Sequence, residues 1–255
     1  MTERKNDCPK ELLPPEQKLS RLLEGRLSDP HSILGMHRDD QLDAVIVRCY
    51  DPAATAITLL RGNSKVKMNK IEKSGLFAVA FPGEKNLFAY KLEKSFKDNQ
   101  RFTSEDPYCF LPGVGEMDTY LFNQGEHQKI YEILGAHPRE FGSVKGVVFA
   151  VWAPTADRVS VVGDFNCWDG RRHMMRTIGC SGIWELFIPG IVEGDIYKYE
   201  IRAANGDIFL KLDPYASGTE MRPKSAAVVC DTSRFKWSDG EWMEFRKRRN
   251  WHETP

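Results

Sequence analysis

The chain has 255 residues, with 36 basic and 36 acidic side chains, so it lacks the positive excess of most nucleic-acid binders. With 41% apolar and 28% charged residues it can bury a core, which excludes global disorder. The longest apolar run, Val147 to Ala153, is too short to cross a bilayer. Residues 1–15 carry three prolines and mixed charge, which predicts a disordered start. They show no apolar signal core, which predicts a cytoplasmic protein. From Glu16 to Leu27, Leu19, Leu22, Leu23 and Leu27 recur at helical spacing, and Ser28-Asp29-Pro30 closes the helix. Strands are expected at Val45–Tyr50, Ala56–Leu60, Leu76–Phe81 and Leu87–Leu92, then a connector at Met117–Gln128. A second set follows at Val147–Trp152, Arg158–Gly163, Gly182–Pro189 and Asp195–Ile201, with Trp152 and Trp184 expected in the core. Asn205-Gly206 is a hairpin turn returning through Ile208–Leu212. Residues 233–255 combine Trp237, Trp242 and Trp251 with Arg246 to Arg249 and have no alternation of their own, which predicts a segment packed on something else.

The two strand sets are a repeat. Ile33-Leu34-Gly35-Met36-His37 returns as Ile133-Leu134-Gly135-Ala136-His137, and Tyr90-Lys91-Leu92-Glu93 returns as Tyr197-Lys198-Tyr199-Glu200. Asp106-Pro107-Tyr108 returns as Asp213-Pro214-Tyr215. A period of whole-domain length means two tandem copies of one fold. Short strands with frequent turns predict an all-β chain of two tandem immunoglobulin-like β-sandwiches with a short N-terminal helix. The expected boundaries are a disordered start at 1–15, helix and first sandwich at 16–124, second sandwich at 125–232 and a linker at 233–255. Each copy is expected to hold its own core, so that residues 130–232 fold alone.

Six cysteines stand at 8, 49, 109, 167, 180 and 230, with no Cys-x-x-Cys and no His at zinc spacing. Reduced thiols, no metal and no cofactor are expected. No P-loop, nucleophile elbow, dinucleotide fingerprint or zinc-protease motif is present, and no acidic pair stands out for glycoside chemistry, so no catalytic residue is assigned. The informative segment is Gly163-Asp164-Phe165-Asn166-Cys167-Trp168-Asp169-Gly170-Arg171, a turn-rich loop carrying a tryptophan. An indole face stacks on a pyranose, and its N–H donates to a hydroxyl. Lys198 on a neighbouring strand adds a charged donor, and Phe209 a second platform. Each also fits a plainer role: Trp168 as a satellite core residue, Lys198 on a solvated face, Phe209 in the core. The corresponding stretch of the first copy, Leu59 to Ser64, has no aromatic residue, which makes that copy a spacer or packing module.

From Leu19 to Pro255 the chain resembles the N-terminal half of the bacterial glycogen branching enzymes. Asp29-Pro30-His31-Ser32-Ile33-Leu34-Gly35 is similar to the opening of their first domain. Val159 to His173, with Phe165-Asn166-Cys167-Trp168-Asp169-Gly170-Arg171, is similar to the signature of a family 48 carbohydrate-binding module. The resemblance implies an α-1,4-glucan as ligand (glycogen, amylose or maltooligosaccharides) and neither nucleic acid nor membrane as partner. It implies Trp168, Lys198, Phe209 and Asn166 as sugar contacts, although an asparagine found late in such modules is replaced near Ala226-Ala227. It also implies an α-amylase-type barrel as partner. That barrel performs the retaining transfer of α-1,4 segments to α-1,6 branch points in glycogen biosynthesis, and this region alone is expected to be inactive. The alternative is a stand-alone glycogen-targeting or regulatory β-sandwich protein without catalytic activity; a third reading is a structural pair of sandwiches with no ligand.

Overall fold

The computed structural model describes residues 12–71 and 74–249. The disorder expected of residues 1–11 and the packing expected of Trp251 fall outside the described residues. Disorder does not extend to residue 12: Leu12 is buried and its carbonyl accepts from Arg48 Nε at 2.8 Å.

Helix α1 (Glu16–Leu23) buries Leu22. It stops short of the expected Leu27 because Gly25 turns left-handed, at φ +67°. The Arg26 N–H then bonds back to the Arg21 carbonyl at 2.8 Å and the Gly25 N–H to Leu22 at 3.0 Å, which is how a glycine closes a helix.

The first sandwich contains β1 (Gly35–Asp39), β2 (Ala44–Tyr50), β3 (Ala56–Arg61), β4 (Ser64–Lys67), β5 (Asn69–Lys70), β6 (Leu76–Pro82), β7 (Lys91–Ser95) and β8 (Arg101–Glu105). They form sheets β1-β2-β6-β5 and β4-β3-β7-β8. The strand expected at Leu87 starts only at Lys91; Phe88 before it stacks edge-on against Phe81 and Tyr90. Helix α2 (Glu116–Gln124) is the connector.

The second sandwich contains β9 (Gly135–Phe141), β10 (Val144–Trp152), β11 (Ala156–Gly163), β12 (Arg176–Thr177), β13 (Ile183–Pro189), β14 (Ile196–Ala203), β15 (Ile208–Lys211), β16 (Gly218–Thr219) and β17 (Ala227–Val228). Its sheets are β12-β13-β10-β9 and β11-β14-β17-β16, with β15 also paired to β14. Helix α3 (Gly240–Arg248) lies in the tail. Among the described residues the chain is thus mostly β apart from three short α-helices and 3-10 turns, and its antiparallel sheets make two sandwiches of similar order.

The repeated motifs build the same clasp in both copies. Tyr90 donates its hydroxyl to buried Asp106 at 2.7 Å, and Tyr197 to buried Asp213 at 2.6 Å. The other carboxylate oxygen of each accepts the N–H of the next tyrosine, Tyr108 at 3.0 Å and Tyr215 at 2.8 Å. Gly35 (φ +84°) and Gly135 (φ +114°) lie against the carbonyls of Tyr108 and Tyr215. A Cβ would stand 2.5 Å from Tyr108 O at Gly35 and 3.1 Å from Tyr215 O at Gly135. Gly35→Ala is therefore expected to destabilise the chain by about 2–3 kcal/mol in urea unfolding, and Gly135→Ala by less.

The copies share part of their core. Leu22, Leu27, Ile33, Leu34, Tyr50 and Tyr108 from the first half join Val147, Phe149, Trp184, Tyr197 and Tyr199 in one buried cluster. Among the described residues the first sandwich keeps for itself a smaller cluster around Val47, Ile57, Phe77 and Leu92 and a minor one of Leu12, Ile46 and Ala78. The two halves are also tied by Tyr108, whose hydroxyl accepts the Met174 N–H at 3.1 Å. A further tie is the 3.1 Å ion pair of Arg26 with Asp157. Trp184 is buried as expected, but Trp152 is 53% exposed. It ends β10 on the outer face of its sheet, where it meets Phe122 of α2.

Candidate functional site

Strand β11 runs into a 3-10 turn, Asp164–Asn166, followed by two left-handed residues, Cys167 (φ +57°) and Trp168 (φ +58°). Such conformations in residues with side chains cost about 1–3 kcal/mol each and gather at functional loops. Asn166 holds the turn. It is buried; its Oδ1 accepts from Gly163 N at 3.0 Å, and its Nδ2 donates to Val161 O at 2.8 Å and to His173 Nδ1 at 2.9 Å. That use of its amide corrects the expectation that Asn166 contacts sugar: it braces the loop instead. The Trp168 N–H donates to Gly163 O at 3.0 Å, and Nε1 donates to Asp164 Oδ1 at 2.8 Å. The indole N–H is therefore spent on orienting the ring, and the face is what the loop offers.

Trp168 lines a cleft of about 430 Å³. The opposite wall is the end of α1, with Leu23, and Tyr50 from β2 of the first sandwich. The floor is the outer face of β11 and β14, where Arg158 pairs with Glu200. Gly170 packs closely on the Glu200 carboxylate, which would have to shift to admit a side chain there. The Nε–H groups of Arg158 and Arg202 are buried and find no acceptor among the described residues, so donors are in place for a polar ligand. Asp169 is held below its usual carboxylate range by Arg171, which bonds it through Nε at 2.9 Å and Nη2 at 2.7 Å. The lining thus mixes an aromatic face, aliphatic side chains and both signs of charge, which suits a neutral, hydroxyl-rich ligand.

The β14 face presents Lys198, Glu200 and Arg202 to this side and Tyr197, Tyr199 and Ile201 to the core. Lys198 is half-buried and donates to Ser225 Oγ at 2.8 Å; it lies beside the cleft rather than in its lining. Phe209 departs from expectation. It pairs with Ile201 across β14 and β15, and partners in an antiparallel pair share a face, so Phe209 stands on the side opposite Lys198. Ile208, paired with Arg202, takes the place on the cleft side and is 53% exposed. Alternation counted on from the Asn205-Gly206 turn would have identified Ile208. Tyr50 and Leu23 gave no local signal, because only docking of the two sandwiches brings them to the cleft.

The first copy also braces the loop from behind. Buried Asp51 accepts from Arg172 Nε at 3.3 Å and from Lys94 Nζ at 3.3 Å. Arg172 lies 4.8 Å over the Phe96 ring and donates to the Asn166 carbonyl at 3.3 Å. The first copy, expected to be a spacer or packing module, thus packs on the loop and also contributes Tyr50 and Leu23 to the cleft lining. In the place of the tryptophan loop it has the tight β3–β4 hairpin.

The architecture is a tandem β-sandwich with a loop tryptophan over a mixed polar cleft. Residues 133–216 match the family described as carbohydrate-binding module 48 (isoamylase N-terminal domain). Residues 15–108 match the alpha-1,4-glucan branching enzyme GlgB, N-terminal domain. Residues 15–108 thus belong to the GlgB N-terminal domain family and residues 133–216 to the family 48 modules. It is 45% identical over 243 residues to the 1,4-alpha-glucan branching enzyme GlgB of Myxococcus xanthus (strain DK1622), covering 94% of this chain and 33% of the relative. It is 42% identical over 246 residues to the enzyme of the same name from Cellvibrio japonicus (strain Ueda107), again covering 94% and 33%. The chain therefore spans about a third of the length of these relatives. No helix among the described residues is long and apolar enough to cross a membrane.

Proposed function

We propose that this chain is the glucan-binding and positioning region of a glycogen branching enzyme. The whole enzyme transfers α-1,4-glucan segments to α-1,6 branch points in glycogen biosynthesis, and the region itself is non-catalytic. The observation that carries the reading is Trp168, strained, oriented by Asp164 and set at a cleft between the family 48 module and the first sandwich. A glucosyl ring stacks on the indole, its hydroxyls meet the Arg202 and Glu200 side, and a longer chain continues along β14 to Lys198. Ile208 and Leu23 border the apolar face of the sugar. Water-exposed apolar side chains on the tail, among them Phe235, Trp237 and Phe245, form with Met221 the surface that packs on an α-amylase-type barrel, in the cytoplasm where glycogen is made.

Calorimetric titration with maltoheptaose tests the reading. Trp168→Ala is expected to weaken the cleft's binding about tenfold, the scale of one stacked aromatic face. Tyr50→Ala, in the other sandwich, is expected to weaken it a few-fold, on the order of 1 kcal/mol or less. Unchanged affinity in Trp168→Ala would remove the cleft from glucan binding.

A further inference from the structure

We infer that the chain carries a second α-glucan subsite, in the groove between α2 and the β12–β13 turn, with Trp152 as its platform. It rests on the reading of the chain as glucan-binding but uses none of the residues of the Trp168 cleft.

Two adjoining cavities of about 520 and 480 Å³ form the groove, and Asn123, Thr177 and Ser181 line both. Trp152 stands at one end, 53% exposed, with Phe122 edge-on at 5.9 Å. Its Nε1 donates to the Ser181 carbonyl at 3.2 Å, and a Cβ on neighbouring Gly182 would crowd Nε1 at 3.0 Å. The ring is thus fixed by backbone on one edge while much of its surface stays open, as an orienting bond and a free face do at Trp168. A tryptophan closing a buried sheet face has no need of a groove beside it; this one opens onto hydroxyls and an amide.

The other end is polar and unsatisfied. His31 forms part of its wall, and both its ring nitrogens are shielded from solvent with no partner among the described residues. Burial, reinforced by the Arg176 charge, lowers its pKa to about 3, so the ring is neutral and keeps one donor and one acceptor. Arg176 is tied to Glu185 by an ion pair at 2.9 Å, yet its Nη2 makes no well-directed hydrogen bond. Asp29 and Glu116 add two carboxylates to the lining. An aromatic platform with neutral donors and acceptors beside it suits a polyhydroxylated neutral ligand, and the two carboxylates disfavour an anion. The length of the groove, running from Trp152 to His31, suits a chain of several glucosyl units.

Calorimetric titration with maltoheptaose separates the two subsites. The unaltered chain is expected to show two classes of binding. Trp152→Leu keeps an apolar side chain against Phe122 but removes the flat face, and is expected to weaken one class about tenfold and leave the other unchanged. Asn123→Ala, at an exposed helix position, is expected to weaken the same class about threefold. Trp168→Ala should weaken only the other class. If Trp152→Leu and Asn123→Ala both titrate like the unaltered chain, the second subsite is overturned while the Trp168 cleft stands. A single class lost with Trp168→Ala has the same meaning, and absence of any binding overturns both.

Discussion

Residues 130–232 produced without the first half are expected to show no cooperative thermal unfolding. The repeat suggests otherwise, since each copy has a complete set of strands. The core decides it. Seven side chains of the shared cluster, Leu22, Leu27, Ile33, Leu34, Tyr50, Leu76 and Tyr108, come from outside that segment. A buried side chain of this size contributes about 1.5–3 kcal/mol, so their loss removes roughly 10 kcal/mol. That equals the whole stability of an ordinary domain, about 5–15 kcal/mol. The isolated segment would also lose the Tyr108 hydroxyl from Met174 and the Ser28 carbonyl that accepts the Thr177 N–H at 3.0 Å. Near-ultraviolet circular dichroism on heating reads the outcome directly. A sharp transition near that of the full chain would mean that the copies are independent.

Acid is expected to destabilise the chain well above the range where ordinary carboxylates titrate. His173 is pushed down to about 3 by burial first, then by the Lys94 and Arg172 charges, with Asp51 opposing. His31 is lowered to about 3 by burial and Arg176. Unfolding returns both to about 6.5, so below that pH the unfolded chain binds more protons and stability falls as pH falls. The slope is at most about 1.4 kcal/mol per pH unit for each histidine, and less where solvent reaches the ring. Asp106, Asp213 and Glu185 act in the other direction. Burial raises all three, so their charged forms cost stability, and acid relieves that cost as pH falls through their raised values. The histidines' contribution to the decline grows as pH falls below about 6.5, and proton uptake by these carboxylates opposes it. His173→Gln keeps an acceptor for Asn166 and should reduce the slope by about 1 kcal/mol per pH unit in urea unfolding between pH 7 and 5. An unaltered slope would place the proton uptake elsewhere. Protonation of His173 also removes the acceptor for Asn166 Nδ2, so acid is expected to loosen the loop that carries Trp168.

Which parts of this were legible in the sequence follows from how local the causes are. The repeat, most of the expected strands and the Asn205-Gly206 hairpin rest on alternation and turn residues a few positions apart, and they stand in the structure close to where the sequence places them; the strand expected at Leu87–Leu92 is displaced to Lys91–Ser95. Helix α1 was read too long because the apolar spacing continues to Leu27, while Gly25, an ordinary turn residue in sequence, closes it. Trp152 reads as core from its place in a strand; it lies on the outer face, in register with Ile183 at the strand's end. Phe209 was chosen for its ring, and the register assigns the cleft side to Ile208 instead. Asn166 looked available on a polar loop, but three hydrogen bonds turn it inward. The first copy's share of the cleft, through Tyr50 and Asp51, depends on two sandwiches meeting across more than a hundred residues of chain, and no local pattern encodes that.

The central claim is that the cleft at Trp168 holds an α-glucan, and native electrophoresis in gels with and without glycogen tests it most directly. The unaltered chain should be retarded by glycogen, and Trp168→Ala, run beside it, should need about tenfold more glycogen for the contribution of this cleft. Equal mobility of the two proteins at every glycogen concentration would contradict the account and leave Trp168 as a packing residue.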